Sequence, residues 1–363
     1  MNLAQQFGQA TGMGRALRSA LGDSKLKLSD TFEPHNRGSI LVAAVFDGFF
    51  NTYQRRIRDL IRIATGGTGV LPAGELHPDL INRIAGEASR TAQAVLTMCI
   101  RAFDYLPPVD LTFGDYLRAL VTADFELNPV DEFGQRENMI AAFRQRGIFP
   151  ENVASLAEES LLWPVVSGLE PLPIRSDNAL TAYVLEAATS FGRAGRPAPM
   201  LSPSDYSSTD EGTEIDLRAD LATKLWTWGS ANRVALGFDK NPDLKFHVQG
   251  FHPVFRVAGS GQLLVELVVQ FVQTDHSRKK ELGGIPFRGG CTVVASLDGV
   301  VRYLVSKPMP GSESLDTGEG SRRFERQLTY MRQLDLVEPA LLNRTGYDSR
   351  MIRRSSLANL HVG

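Results

Sequence analysis

The chain has 363 residues, and because a single hydrophobic core usually stops growing near about 250–300 residues, its length favours two domains. Hydrophobic residues make up 43% and charged residues 22% of the sequence, which excludes a mostly disordered chain, a collagen-like repeat and a bare coiled coil. The 39 basic and 41 acidic residues give a net charge of −2, which argues against a protein built mainly to bind nucleic acid.

The sequence offers no segment suited to a membrane or to secretion. Residues 1–14 lack the charged start and apolar centre of a secretory signal. The longest apolar run, 40–50, contains Asp47 and is shorter than the roughly 20 residues of a membrane span. Cys99 and Cys291 each lie in an apolar run, which is typical of buried thiols in a reducing compartment. We therefore expect a soluble, cytoplasmic protein that does not act at a membrane.

Helical spacing of apolar residues dominates the first part of the chain. Four helices are predicted, over 39–65, 78–105, 112–123 and 131–146. Thr112 is placed to cap the third helix, with Asp115 three residues later completing a capping box. Residues 39–150 therefore predict a compact all-helical unit with short connections.

After residue 150, helical spacing of apolar residues no longer dominates the sequence. Residues 151–190 contain two more helical candidates, residues 192–213 are rich in Gly, Pro and Ser, and a helix is predicted near 216–228. Runs rich in Val, Leu and Phe follow, over 246–249, 254–258, 263–274, 291–296 and 300–306. Asp298-Gly299 between the last two runs predicts a β-hairpin. Residues 244–308 thus predict a small antiparallel sheet, followed by a polar helix over 321–336.

The predicted fold class is α+β: a helical lobe followed by a small mixed domain with an antiparallel sheet. We predict four parts, namely a helical lobe over 1–150, a helical connector and Pro/Gly/Ser-rich linker over 151–215, an α+β domain over 216–340 and a basic tail over 341–363. The sequence contains no internal repeat.

An Asp and a His precede the first long helix. Asp30 could hold the His35 imidazole in one tautomer and favour its charged form, and such a ring can donate a hydrogen bond to an oxyanion. The competing interpretation is structural, with Asp30 as a turn residue before a helix and His35 satisfied by the backbone. On these two residues alone, the structural interpretation is favoured.

The surrounding segment resembles the C-terminal half of the thermolysin-like zinc metallopeptidases, the gluzincins. In that family an Ala-Leu-Arg-Ser stretch precedes a loop that ends in an Asp, four further residues, a His, a Gly shortly after, and an apolar helix. This chain has Ala16-Leu17-Arg18-Ser19, then Asp30, His35 and Gly38 before its first long helix.

The helical part that follows also resembles the family, which ends in a helical lobe. The last helix of that lobe carries an Ala-Phe pair followed by a Gly, like Ala142-Phe143 and Gly147 here. The resemblance covers roughly residues 1–150, and the remainder of the chain is assigned to no family.

The resemblance implies roles for three residues and a peptide or protein substrate. His35 would match the His that hydrogen-bonds the oxyanion of the tetrahedral intermediate in peptide-bond hydrolysis. Asp30 would match the carboxylate that orients this His. Arg18 would match the Arg that contacts the substrate carbonyl beside the scissile bond, a contact that suits its planar, permanently charged guanidinium.

The chain differs from the family in the residues that bind the metal. Family members bind zinc through two His of an H-E-x-x-H helix and a Glu of a later helix, and the Glu of the motif is the general base. None of the six histidines here forms that motif. The loop between Arg18 and Asp30 is also shorter than in the best-known members, and one residue is missing between His35 and Gly38. We therefore expect an incomplete site that binds no metal alone, with zinc present only in a complete protein or complex and its ligands carried by a longer polypeptide or a separate chain.

A second hypothesis belongs to another class, a non-catalytic module that binds peptide or protein or mediates assembly.

Other patterns of residues in the sequence do not indicate a further functional site. His247 and His252, five apart around a predicted Gly-Phe turn, have only Cys291 and His276 as nearby further ligands, so structural or surface roles are favoured over a metal site. The basic run 276–280 favours solvated loop charges over a nucleic-acid surface.

Overall fold

The computed structural model of the chain describes residues 26–31, 34–70, 77–174, 212–257, 263–312 and 318–337. By its internal contacts the chain divides into two compact units. The first comprises Met1–Phe103 and Thr112–Leu162, and the second comprises Asp104–Leu111 and Trp163–Gly363. None of the described helices combines the length and the apolar content that a membrane crossing requires.

The first unit is helical where it is described. Its helices are α1 (Pro34–Ala64), α2 (Pro78–Ala102), α3 (Phe113–Leu127), α4 (Gln135–Gln145) and the single-turn α5 (Glu158–Leu161). The four long helices predicted from the sequence are confirmed. α1 begins five residues earlier than predicted, at Pro34, because a proline already has the backbone angle of a first helical turn.

Local signals in the sequence explain where α2 and α3 begin. His77 caps α2, since its Nδ1 accepts the backbone N–H of Asp79 at 3.2 Å, and Pro78 occupies the first helical position. The predicted capping box of α3 is confirmed. The backbone N–H of Asp115 donates to Thr112 Oγ1 at 3.1 Å, and the backbone N–H of Thr112 donates to Asp115 Oδ2 at 2.9 Å.

Small residues allow α1 to pack closely on α4. A Cβ added to Gly48 would lie 2.8 Å from the sulfur of Met139 and 3.2 Å from its Cα. The same side of α1 forms an ion pair between Asp47 and the buried guanidinium of Arg146, at 2.6 Å. The core of this unit includes Ile40, Ala43, Ala44, Met98, Ala102, Leu117, Leu120, Met139 and Phe143.

The second unit contains the sheet. Its described elements are α6 (Gly212–Ala231), β1 (Lys245–Val257), β2 (Leu263–Asp275), β3 (Phe287–Ser296), β4 (Val301–Lys307) and α7 (Glu319–Val337). The four strands pair in chain order, and every pair is antiparallel. The predicted α+β class is therefore confirmed. The Asp298-Gly299 hairpin is also confirmed, with Gly299 in the left-handed region at φ 83° and the N–H of Ser296 donating to the Val300 carbonyl at 3.0 Å.

One prediction about the sheet is wrong. The sequence predicts separate strands over 246–249 and 254–258 with a turn at Gly250-Phe251, but β1 is a single strand that pairs with β2 on both sides of a bulge. The register shifts between Val248 and Gly250, so Gln249 is an additional residue in the ladder. A bulge accommodates an extra residue by bending the strand without ending it, which is why the glycine here does not mark a turn.

The core of the second unit lies between one face of the sheet and helical residues. Leu225 and Trp228 of α6 and Phe324 of α7 belong to the same buried cluster as the strand residues Phe271 and Val293. The rings of Trp228 and Phe271 lie 6.0 Å apart, and those of Phe287 and Phe324 lie 5.3 Å apart.

The opposite face of the sheet carries the segment Asp104–Leu111, which we call the strap. Thr292 Oγ1 of β3 donates to the carbonyl oxygen of Leu106 at 2.6 Å, and the ring of Tyr105 meets Tyr303 of β4 edge-on at 5.5 Å between centroids. A Cβ added to Gly290 of β3 would lie only 2.7 Å from Val109, so the strap lies directly on the strand. The strap joins α2 to α3 in the chain, yet it packs as part of the second unit.

Candidate functional site

Asp30 lies at the end of a single 3-10 turn, Leu28–Asp30, just before α1. Its carboxylate accepts the backbone N–H of Lys27 at 2.9 Å and the hydroxyl of Ser29 at 3.0 Å. These hydrogen bonds, with that of Lys27 the larger cause, lower the pKa of Asp30 below its ordinary value. The group is therefore a carboxylate at neutral pH.

The turn that carries Asp30 is fixed to the end of α4. The backbone N–H of Leu28 donates to the carbonyl oxygen of Arg146 at 2.9 Å. Gly147 has φ 69°, and a Cβ there would lie 3.4 Å from the Cβ of Lys27, so the two segments touch. Because Arg146 also pairs with Asp47 of α1, the end of α4 holds both the turn and the first long helix in place.

His35 is the second residue of α1, and its side chain is exposed. Two hydrogen bonds stabilise the backbone around it. Ser39 Oγ donates to the His35 carbonyl oxygen at 3.0 Å, and Arg37 Nη1 donates to the Thr31 carbonyl oxygen at 3.3 Å. The N-terminal end of an α-helix carries a partial positive charge, so an anion near this ring would be stabilised by the helix as well.

The three predicted site residues are only partly brought together. Arg18, with the rest of Ala16-Leu17-Arg18-Ser19, lies outside the described residues. Asp30 and His35 lie on successive elements, but both hydrogen bonds of the Asp30 carboxylate are with its own turn. An Asp30–His35 pair in a complete site therefore stays a prediction.

The described residues do not include a cluster of zinc ligands. Across the described ranges, no group of three or more His, Cys, Asp or Glu side chains is arranged to hold a metal ion. Catalytic zinc needs three protein ligands, drawn mostly from His and carboxylates. The described part of this chain therefore does not supply the ligands of the metal that the resembled family binds.

His252 forms a contact that the sequence did not indicate. Its Nε2 lies 3.0 Å from Oδ1 of Asp104 at the start of the strap, and both side chains are largely buried. His247, in the same strand, has its Nε2 3.1 Å from the amide oxygen of Gln249. The pairing of His252 attaches the strap to the edge strand, which is a structural role.

The first unit also contains a buried cluster of charged residues that the sequence did not indicate. Arg136 Nη1 donates to Asp124 Oδ2 at 2.9 Å, and its Nε lies 2.9 Å from Oε1 of Glu158. Further N–H groups of Arg136 donate to the carbonyl oxygens of Asn128 and Pro129. Burial raises the pKa of Asp124, although the hydrogen bonds that it accepts from Asn128 and Arg136 oppose the shift. With its donors directed at neighbouring loops and helices, Arg136 joins α3, α4 and α5 rather than facing a ligand.

Comparison of the chain with sequence models of known families, with curated proteins and with solved structures found no match.

Proposed function

We propose that this chain is the C-terminal part of a zinc-dependent peptidase, in which it supplies the residues that bind substrate and stabilise the oxyanion. The observation that supports this proposal is the order of Ala16-Leu17-Arg18-Ser19, Asp30, His35 and Gly38 before a long apolar helix. The zinc ligands and the general base come from residues outside this chain. On its own, the chain then neither binds zinc tightly nor cleaves peptides.

The position of His35 supports this role. A donor to an oxyanion must reach a substrate, and His35 is exposed in the first turn of α1 instead of being packed in the core. The turn and the helix on either side of it are fixed by Arg146, so the ring is carried by a well-anchored backbone. Anchored donors cost little reorganisation when charge develops on the substrate.

The chemistry of the step follows from the charge that it creates. When a water molecule attacks the carbonyl carbon of the peptide bond, the double bond from that carbon to oxygen becomes a single bond. The oxygen then takes the negative charge. An N–H of His35 would donate a hydrogen bond to that oxygen and so stabilise the charge on it. Arg18 would donate to a neighbouring substrate carbonyl and so fix the register of the peptide.

The test is a substitution of His35 in the assembly that contains the zinc motif. We expect His35→Ala to lower kcat for a fluorogenic casein-derived peptide by about 100- to 1,000-fold, the usual loss for one oxyanion donor, with KM and bound zinc little changed. The matched control is His77→Ala, which removes another exposed histidine of the same unit and should leave kcat unchanged.

Three outcomes contradict the proposal. One is full activity of His35→Ala. Another is stoichiometric zinc together with casein hydrolysis by the isolated chain. The third is the absence of peptidase activity from every zinc-loaded assembly that contains the chain, which would favour the non-catalytic binding module.

A further inference from the structure

Three polar side chains form a row across the sheet, at the end where β1 begins and β2 ends. In the strand register, Lys245 of β1 lies opposite Thr274 of β2, and Thr274 lies opposite Arg288 of β3. Opposite residues of antiparallel strands have their side chains on the same face, so we call these three residues the Arg288 row. The row lies on the face that carries the strap, because the strap touches Gly290, two residues after Arg288.

Arg288 is a half-buried cation. Burial lowers the pKa of its guanidinium below the ordinary value. Among the described residues, its side chain neither donates a hydrogen bond nor forms an ion pair. The buried guanidinium of Arg323, by contrast, donates to Asp110 and to the carbonyl oxygen of Pro308. Because a cation withdrawn from water without a partner costs free energy, Arg288 is suited to bind an anion from outside the chain.

The other two members of the row can bind the same anion. The side chain of Thr274 is only 6% exposed, and in the described part of the chain its hydroxyl has no hydrogen-bond partner. Lys245 is exposed, and within the described ranges its ammonium group forms no ion pair. Neighbouring strands lie about 5 Å apart, so the Cα atoms of Lys245 and Arg288 are about 10 Å apart. Their long side chains can therefore reach the space above the shorter Thr274.

Two carboxylates of the surrounding segments are bound elsewhere. Asp275 follows the middle residue of the row, so its side chain lies towards the other face, where it accepts the backbone N–H and the hydroxyl of Ser277. Asp110, near the end of the strap, accepts from Arg323 Nε at 2.7 Å. These two carboxylates therefore do not neutralise Arg288.

The loop that joins β2 to β3 adds positive charge at this end of the sheet. It contains the basic run 276–280, in which Arg278 pairs with Glu281 at 3.0 Å. Lys279 and Lys280 are exposed and form no ion pair among the residues that the structure describes. A concentration of one sign of charge attracts ions of the opposite sign, so the loop favours the approach of an anion to the row.

A phosphate group fits the row better than a carboxylate does. At neutral pH it carries a charge of about −1.5 to −2, which matches the two cations. Its oxygens point in tetrahedral directions, so the planar guanidinium of Arg288 can bind two of them while Lys245 and Thr274 bind a third. A carboxylate has two oxygens in one plane, and with both on Arg288 it would offer no separate oxygen to the other two side chains.

We propose that the Arg288 row is a binding site for a phosphate group, either inorganic phosphate or the phosphate ester of a small molecule. Arg288 and Lys245 balance its charge, and the hydroxyl of Thr274 donates to one of its oxygens. This inference does not depend on the proposed function, because the three residues belong to the second unit and His35 belongs to the first.

The test is isothermal titration calorimetry of the full-length chain with inorganic phosphate, glycerol phosphate and acetate, at the same pH and ionic strength. We expect saturable binding of one phosphate per chain and weaker binding of acetate. Arg288→Gln should weaken phosphate binding at least about tenfold, because a bidentate, charge-assisted contact is lost. Lys245→Gln should weaken it about three- to tenfold. Tighter binding of glycerol phosphate than of inorganic phosphate would assign the site to an ester, and the reverse order would assign it to the free ion.

The matched control is Arg332→Gln. Arg332 is an exposed arginine of α7, so this variant makes the same change of charge outside the row. Its affinity for phosphate should equal that of the parent chain.

Thermal unfolding shows whether the variant is folded and adds a second readout. Without phosphate, Arg288→Gln should unfold at the same temperature as the parent chain or at a higher one, because it removes a half-buried cation that has no partner. Saturating phosphate should raise the unfolding temperature of the parent chain and of Arg332→Gln, but not that of Arg288→Gln, because a ligand stabilises only the folded state that binds it.

Four results would overturn the inference. They are the absence of saturable phosphate binding, equal affinities of Arg288→Gln and the parent chain, and binding of acetate as tight as that of phosphate. The fourth is a lower unfolding temperature of Arg288→Gln without phosphate, which would show that the guanidinium already has a stabilising partner within the chain.

Discussion

At the scale of single residues, Glu87 of α2 shows how a largely buried carboxylate stabilises the first unit. Its Oε2 accepts from Arg56 Nε of α1 at 2.9 Å, and its Oε1 accepts from Arg90 of its own helix. The hydrogen bond from Arg90, followed by that from Arg56, lowers the pKa of Glu87 below its ordinary value. The charged carboxylate therefore belongs to the folded state and joins α1 to α2.

This pairing predicts a pH-dependent contribution to stability. A lowered pKa means that the folded state favours the ionised form, so the stabilisation is present above the ordinary pKa of a glutamate and disappears as the pH falls through the lowered value. We expect Glu87→Gln to reduce the free energy of unfolding by about 1–2 kcal/mol at neutral pH, and the difference from the parent chain to shrink as the pH falls through the lowered pKa. Urea unfolding followed by far-UV circular dichroism measures both.

The control for this prediction is Glu137→Gln. Glu137 also pairs with an arginine of α1, Arg55, at 2.7 Å, but both side chains are well exposed. Exposed pairs contribute little because water and salt screen them, so this variant should change the free energy of unfolding by less than about 0.5 kcal/mol. Equal effects of the two substitutions would show that burial of Glu87 is not what matters.

At the scale of elements, two glycines in helices have opposite roles. Gly114 lies in the first turn of α3, and a Cβ there would lie 2.6 Å from both the carbonyl oxygen of Phe149 and the Cα of Pro150. Gly86 lies in the middle of α2, where a Cβ would find only the end of the Arg90 side chain, at 3.8 Å. Glycine is thus required at position 114, because another backbone segment approaches α3 closely there. At position 86, no contact in the structure requires a glycine.

We therefore expect alanine to have opposite effects at these two positions. Gly86→Ala should raise the free energy of unfolding by up to about 1 kcal/mol, because alanine is the better helix former. Gly114→Ala should lower it by about 1–3 kcal/mol, because the backbone of 149–150 must move. Chemical unfolding of the two single variants against the parent chain measures the difference. The same sign for both would contradict the packing argument.

Helix α1 shows why periodicity predicts an element more readily than its surroundings. The spacing of Ile40, Ala44 and Ile57 is enough to predict the helix, and the structure confirms it. The spacing does not show which apolar face lies in the core, since both faces have the same period. Only the packed structure separates the face that contacts Met139 of α4 from the opposite face, which carries Phe46, Phe49 and Tyr53.

At the scale of the whole molecule, the strap belongs to the second unit, although it joins two helices of the first unit in the chain. Leu106 is completely buried, while Leu111 at the end of the strap is 48% exposed. Leu106→Ala should destabilise the second unit by about 2–5 kcal/mol through lost burial and a cavity, whereas Leu111→Ala should cost less than about 1 kcal/mol. The measurement is unfolding monitored by tryptophan fluorescence, because all three tryptophans, at 163, 226 and 228, belong to this unit. Equal costs would show that the strap is not part of the core of the second unit.

The sequence by itself determined the order and type of the main elements, because helical and strand periods, caps and turn glycines act over a few residues. The proposed site also comes from the sequence, since it depends on the linear order of Arg18, Asp30 and His35, and it stays a prediction. Only the tertiary structure decided that β1 passes through Gly250, that the strap lies on the sheet and that Arg136 joins three helices. Those features depend on contacts between residues far apart in the chain, and such contacts leave no local period or motif from which they could be predicted.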